Sequence, residues 1–83
     1  MKNYHVYLIS TVDSKFKKTY VGYTKDLKKR ILQHNSGLGA KATRGYKWKI
    51  LFKKKFISKN DAMKYEYFLK NNRSLRKKII SKF

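Results

Sequence analysis

The chain has no cysteine and no proline, and only four of its 83 residues are acidic. Lacking cysteine, it forms no disulfide and no thiolate metal site, and its redox compartment stays open. No proline is present to break a strand or helix. No apolar run approaches the roughly 20 residues needed to cross a bilayer. The N-terminus, Met1-Lys2-Asn3-Tyr4-His5, shows no secretory pattern, so the expected location is the cytoplasm. Repeats and low-complexity tracts are absent. There is no Gly-x-x-x-x-Gly-Lys phosphate loop, no Gly-x-Ser-x-Gly elbow and no His-Glu-x-x-His zinc motif.

What is present is positive charge. Twenty-three cations against four acids leave a formal charge of +19. This points to a polyanionic partner, most simply nucleic acid. Nineteen of the cations are lysine and four are arginine. An AT-rich genome also favours such a composition, so a solvated lysine coat is the bland alternative. Hydrophobic residues reach 41%, enough for a core and too apolar for a disordered basic tail. The length suits one domain over residues 1–83, burying roughly 60–65% of its unfolded surface, so stability is modest.

Residues 4–9 are β-rich and read as a strand; Asp13, Ser14 and Lys15 suggest a turn, and Thr19-Tyr20-Val21-Gly22 a second strand. So short a connection allows only an antiparallel hairpin. Asp26 is a plausible N-cap for a helix with Leu27 and Ile31 on its apolar stripe, stopped at Asn35-Ser36-Gly37. Residues 38–45 read as a basic, glycine-containing loop. In the third strand, residues 48–57, Trp48, Ile50 and Phe52 are expected to alternate with Lys47, Lys49, Leu51 and Lys53. Ser58 opens a second helix with Ala62, Tyr65, Phe68 and Leu69 at helical spacing. Asn71-Asn72 interrupts it, and Ser74 is expected to cap a last helix bearing Leu75, Ile79 and Ile80. The order is β-β-α-β-α-α. The expected class is α+β, a three-stranded antiparallel sheet flanked by helices. Strands in the first quarter argue against a helix-turn-helix module.

Three features carry potential chemistry. Glu66, the only glutamate, falls on the stripe that faces the sheet, where a carboxylate is costly unless it meets a cation or a metal. A nearby lysine would satisfy it equally. Arg30 and His34 lie one turn apart beside Leu27 and Ile31, so they share the packing face. Arg30 could clamp a phosphate, and His34 could donate to that phosphate or shuttle a proton. Their structural alternatives are a guanidinium whose stem covers apolar surface and a satisfied core histidine. Tyr7 and Tyr20 sit on the two strands of the hairpin. A free phenol titrates near 10, too high for a base at neutral pH, and surrounding cations and a metal-bound water are expected to lower it. Seven tyrosines in so small a chain are mostly core or surface residues.

The order of these features resembles the GIY-YIG nuclease family. Tyr4-His5-Val6-Tyr7-Leu8-Ile9 is similar to its first signature, without the Gly-Ile, and Tyr20-Val21-Gly22 to its second. Asp26 to Gly37 looks like the family's helix with its arginine and a histidine one turn later. Gly39-Ala40-Lys41-Ala42-Thr43-Arg44-Gly45 resembles a stretch of the stand-alone, single-domain bacterial branch, the UPF0213-like proteins. Glu66 matches the metal-binding glutamate. The similarity covers nearly the whole chain. Tyr-x-Gly alone is common, whereas five positions in order and spacing are specific.

The resemblance implies an endonuclease that hydrolyses DNA phosphodiesters, structure-specific in repair or recombination, with one Mg²⁺ or Mn²⁺ on Glu66. It implies that Arg30 stabilises the phosphorane-like charge, that Tyr7 or Tyr20 deprotonates the water, and that His34 orients that tyrosine or touches the phosphate. Gly22 is expected to allow close approach at the strand end. Products would carry 5′-phosphate and 3′-hydroxyl ends. Asn71 and Asn72 are candidates for a C-terminal asparagine found in many members. Lys41, Arg44, Lys53, Lys54, Lys55, Lys77 and Lys78 are expected to supply phosphate contacts. Trp48 and Tyr46 could stack on bases, though Trp48 reads more simply as core. The alternative class is a non-catalytic binder of DNA or structured RNA. A further one is a domain whose specificity module lies on a partner protein. No membrane association is expected.

Overall fold

The computed structural model describes residues 3–12 and 17–82. Strand β1 (Tyr4–Val12) pairs antiparallel with β2 (Thr19–Thr24) on one side and β3 (Lys47–Phe56) on the other, so the sheet order is β2-β1-β3. Helices α1 (Leu27–Asn35), α2 (Lys59–Lys70) and α3 (Arg73–Ser81) complete the α+β architecture, in the expected order. The turn expected at Asp13, Ser14 and Lys15 lies outside the described residues.

The central strand has both faces covered, which is why Val6 through Thr11 are all buried despite the alternation of side chains. Val6 and Leu8 point to one face, with Val21, Leu51, Ala62, Leu69 and Ile79. Tyr7 and Ile9 point to the other, with Trp48, and Tyr20, Leu27, Ile31 and Tyr46 pack against them. Helix α1 therefore covers the tyrosine face, while α2 and α3 cover the opposite one.

Two local expectations are corrected. Trp48, Ile50 and Phe52 do not share a face. The β1–β3 register shifts between Leu8 and Ile9, where Phe52 pairs with Leu8 but Ile50 pairs with Ile9. Leu51 is the extra residue of a bulge and is buried, while Ile50 is exposed and Phe52 joins the α2 side. Nor does Ser74 cap α3. Asn72 does, its Oδ1 accepting from the Leu75 amide at 3.0 Å. Asp26 and Ser58 cap α1 and α2 as expected, accepting from Lys29 N and Asp61 N.

Candidate active site

The register of the hairpin builds the site. Tyr7 stands opposite Gly22 on β2, and Tyr20 opposite Ile9, so both phenols rise on the α1 face two residues apart along the ladder. A Cβ on Gly22 would lie 2.5 Å from the Tyr7 hydroxyl oxygen and 3.2 Å from the Tyr20 ring. The glycine is thus the floor on which the Tyr7 ring lies. Gly22→Ala is expected to push that phenol out of place and lower stability by about 1–3 kcal/mol, as other overpacked sites do. Thermal unfolding and loss of the Tyr7–His34 hydrogen bond would check it.

Helix α1 supplies the next groups. His34 is fully buried, and its Nε2 lies 2.8 Å from the Tyr7 hydroxyl. Its ring centroid is 5.7 Å from that of Tyr7 and 5.2 Å from that of Tyr20. Its Nδ1 lies 2.9 Å from Thr43 Oγ1, which in turn donates to Ala40 O at 2.8 Å. With both nitrogens occupied, His34 holds Tyr7 rather than reaching a phosphate. Arg30, one turn earlier and half-buried, donates from Nη1 to Gln33 Oε1 at 3.2 Å.

Burial dominates the electrostatics. It raises the Tyr7 phenol above its ordinary value of 10, although the adjacent Arg30 guanidinium pulls the other way. Tyr20 and Glu66 add smaller raising effects. Arg30 lowers this phenol as expected, but without a metal ion desolvation of the phenolate outweighs it. Burial, then Arg30, lower His34 below 6.5, so it is neutral at pH 7. Folded His34 therefore binds its proton at lower pH than the unfolded chain does. It costs nothing above about pH 6.5, and stability falls as pH drops below that value toward the folded pKa. Melting temperatures between pH 7.5 and 5 should show this decline, with a shallower slope in His34→Asn.

Glu66 stands on α2, the helix on the opposite sheet face, and contributes the smallest of the raising effects on the Tyr7 phenol. Its side chain is only 18% exposed, and Oε1 accepts from Lys70 Nζ at 3.2 Å. Lys70 also lines a pocket with Thr19, Tyr20 and Val21, so this flank of α2 borders the β2 edge where Tyr20 sits. No group of three or more His, Cys, Asp or Glu is gathered among the described residues. A carboxylate outside any such group would suit a hard cation that keeps most of its waters and takes substrate oxygens, and would not suit an all-protein cage.

The basic residues divide. Lys41 and Arg44 are exposed on the loop that holds His34. Lys53 and Lys55 pair with Tyr7 and His5 on the α1 face; Lys54 pairs with Val6 on the other, its Nζ 4.9 Å from the Tyr65 ring centroid. Lys77 and Lys78 are exposed on α3. A concavity of about 670 Å³ lies between α1 and β3 and is lined by Lys25, Lys28, Ile31 and Lys53 among others. None of the five site residues lines it; it is a separate basic groove on the other flank of α1. Trp48 is core, 5% exposed, with Nε1 donating to Thr43 O at 2.9 Å. Asn71 and Asn72 cap helix ends, Asn71 Nδ2 bonding Tyr67 O.

Thr43, Gly39, Gln33 and Lys70 were not singled out from the sequence. Lys70 follows Glu66 by four residues, and Gln33 follows Arg30 by three, spacings that signal helix partners. Thr43 had no such signal, because a 3₁₀ turn over Lys41–Thr43 brings it back to His34.

Comparison with known proteins agrees with this fold. The model of the GIY-YIG catalytic domain matches residues 3–79. The chain is similar to the UPF0213 protein SSP2268 of Staphylococcus saprophyticus, 35% identical over 98% of both chains. It is also similar to the UPF0213 protein YsiG of Lactococcus lactis, 40% identical over 95% of this chain and 74% of that one. Among solved structures, the solution NMR structure of the UPF0213 protein BH0048 from Bacillus halodurans is 36% identical. It covers 95% of this chain and 83% of that one, with a TM-score of 0.52. A family match over nearly every residue, together with relatives of similar length, shows that the chain belongs to the GIY-YIG family of nuclease domains.

Proposed function

We propose that this chain is a metal-dependent endonuclease that hydrolyses DNA phosphodiesters, with Tyr7, Tyr20, Arg30, His34 and Glu66 as its active site. The observation that carries this reading is the buried Tyr7–His34 hydrogen bond beside Arg30. A core pair needs no guanidinium next to it.

Glu66 would hold one Mg²⁺ or Mn²⁺, which when bound would supply Lewis-acid polarisation of the scissile phosphate. Arg30, steadied by Gln33, faces the phosphate and stabilises charge that grows as water attacks. The attacking water gives its proton to the Tyr7 oxygen while the Tyr7 proton passes to His34 Nε2. The hydroxide oxygen bonds to phosphorus, the P–O3′ bond breaks, and the 3′ oxygen takes a proton from solvent. Products are a 5′-phosphate and a 3′-hydroxyl. Arg30 weakens His34 as a base in the free protein; a phosphate anion beside Arg30 offsets that effect, so the base strengthens when substrate is present. Tyr20, half-buried, borders the entrance.

Lys41, Arg44, Lys53, Lys55, Lys77 and Lys78 contact DNA phosphates, joined by Lys25 and Lys28 in the groove beside α1. Binding measured by fluorescence anisotropy is expected to weaken steeply with salt, log K falling by about 0.9 per phosphate contact per decade. Each of Lys41→Gln and Arg44→Gln should lower that slope by about 1. Lys54→Gln should not, because its ammonium is held over the Phe56 and Tyr65 rings.

The test is incubation with duplex, flap, branched and single-stranded DNA in Mg²⁺, Mn²⁺ or EDTA. Cleavage of at least one DNA with either metal and none in EDTA is expected. Tight binding without cleavage on every substrate would sink the enzyme reading.

A further inference from the structure

The buried chain from Tyr7 through His34 to Ala40 fixes where its protons lie. Thr43 has one hydroxyl hydrogen, and the Ala40 carbonyl, which can only accept, lies 2.8 Å from its oxygen. That hydrogen goes to Ala40 in the arrangement that also gives the buried Tyr7 hydroxyl an acceptor, His34 Nε2. Toward His34 Nδ1, 2.9 Å away, the Thr43 oxygen can only accept. Nδ1 must then carry the imidazole hydrogen. Because His34 is neutral at pH 7, Nε2 is left with a lone pair, and at 2.8 Å it accepts the Tyr7 hydroxyl proton. Were the tautomer reversed, Nε2–H would face the phenol as a donor and could not take its proton.

Thr43 is held to do this. Its amide donates to Ala40 O at 3.0 Å, and its carbonyl accepts from Trp48 Nε1 at 2.9 Å. Thr43 is fully buried, so no water competes for its hydroxyl. Trp48 is itself tied to α1, since its amide donates to Asn35 Oδ1 and its carbonyl accepts from Asn35 Nδ2. The loop also presses on the ring: a Cβ on Gly39 would collide with His34 Nδ1 and come within 3.0 Å of its Cα. Glycine at 39 lets the backbone close over the imidazole, and Thr43 then meets Nδ1.

We propose that Thr43 is a positioning residue that locks His34 in the Nδ1–H tautomer, so that Nε2 can receive the Tyr7 proton. A buried hydroxyl between a carbonyl and an imidazole leaves one arrangement in which every donor meets an acceptor. The contribution of this clamp to catalysis rests on the nuclease reading above; the tautomer itself does not.

The experiment uses the full chain. Long-range ¹H–¹⁵N spectra report which nitrogen of His34 is protonated, and His5→Gln assigns the signals, since only two histidines exist. Wild type and Thr43→Ser are expected to show Nδ1–H. Thr43→Val, which cannot accept, is expected to shift to Nε2–H or a mixture. On the best-cleaved DNA, Thr43→Val should lower kcat on the order of 10²-fold with KM within about twofold, and Thr43→Ser should restore most of the rate. A wild type with Nε2–H overturns the proposal. So does Thr43→Val that is folded and keeps Nδ1–H, or that cleaves at the wild-type rate. If the tautomer responds as stated while wild type cleaves no DNA, the nuclease reading fails and the clamp stands.

Discussion

Glu66→Gln is expected to lower DNA cleavage by at least about 10³-fold in kcat, while DNA affinity stays the same or improves. The substitution keeps shape and removes the charge that holds the metal. Among the described residues no group of three or more His, Cys, Asp or Glu is gathered to compensate. The fold should survive, because the partner Lys70 is 49% exposed and such pairs contribute about 1 kcal/mol or less. Affinity should not suffer, since one negative charge leaves a chain of net +19. Raising Mg²⁺ or Mn²⁺ should not restore the rate. Paired measurements of single-turnover rate and anisotropy separate the two effects; equal loss of both would mean that Glu66 organises the fold rather than the chemistry.

Tyr7→Phe carries the second large effect, a fall of about 10²–10⁴-fold in kcat, the usual range for a lost proton-transfer group. The ring still packs on Gly22 and Ile9, but His34 Nε2 loses its partner at 2.8 Å. Leaving that buried acceptor unpaired should cost about 1–3 kcal/mol of stability. Tyr20→Phe should be milder, under about tenfold, because among the described residues no hydrogen-bond path ties its phenol to His34. A pH–rate profile adds a check. The proton acceptor His34 works only when neutral, so activity should fall on the acid side below the ordinary histidine range, and that limb should vanish in His34→Asn. If Tyr20→Phe proves the more damaging, the roles of the two phenols are exchanged.

Much of this site was legible in the sequence because it follows from short-range periodicity. Arg30 and His34 are separated by one helical turn, and Tyr7 and Tyr20 lie on paired strands, so each could be placed on a face before any tertiary contact was known. Ser58, Asp26 and Gly37 marked helix ends through cap chemistry that acts within four residues. What escaped depends on distant partners. The bulge at Leu51 arises from register against β1, and alternation within β3 alone points the wrong way for Phe52. Asn72 and Ser74 are both good caps, and the helix starts at the earlier one. The Tyr7 phenol was expected to be acidified by surrounding lysines, yet screening by water keeps surface charge from reaching a group that is 1% exposed. Lys53, Lys54 and Lys55 read as one run but split across two faces. Thr43 needed the 3₁₀ turn.

The account depends on Glu66 holding its ion in the same hollow as Tyr7 and Arg30, although its helix packs on the opposite face of the sheet. Paramagnetic broadening by Mn²⁺ tests this directly, using ¹⁵N-labelled protein bound to a DNA with a non-hydrolysable phosphorothiolate-type linkage. The signals of Tyr7, Tyr20, Arg30 and Glu66 should broaden first, and Glu66→Gln should abolish the effect. Broadening centred on Asp26 or Asp61, or unchanged by Glu66→Gln, would contradict it.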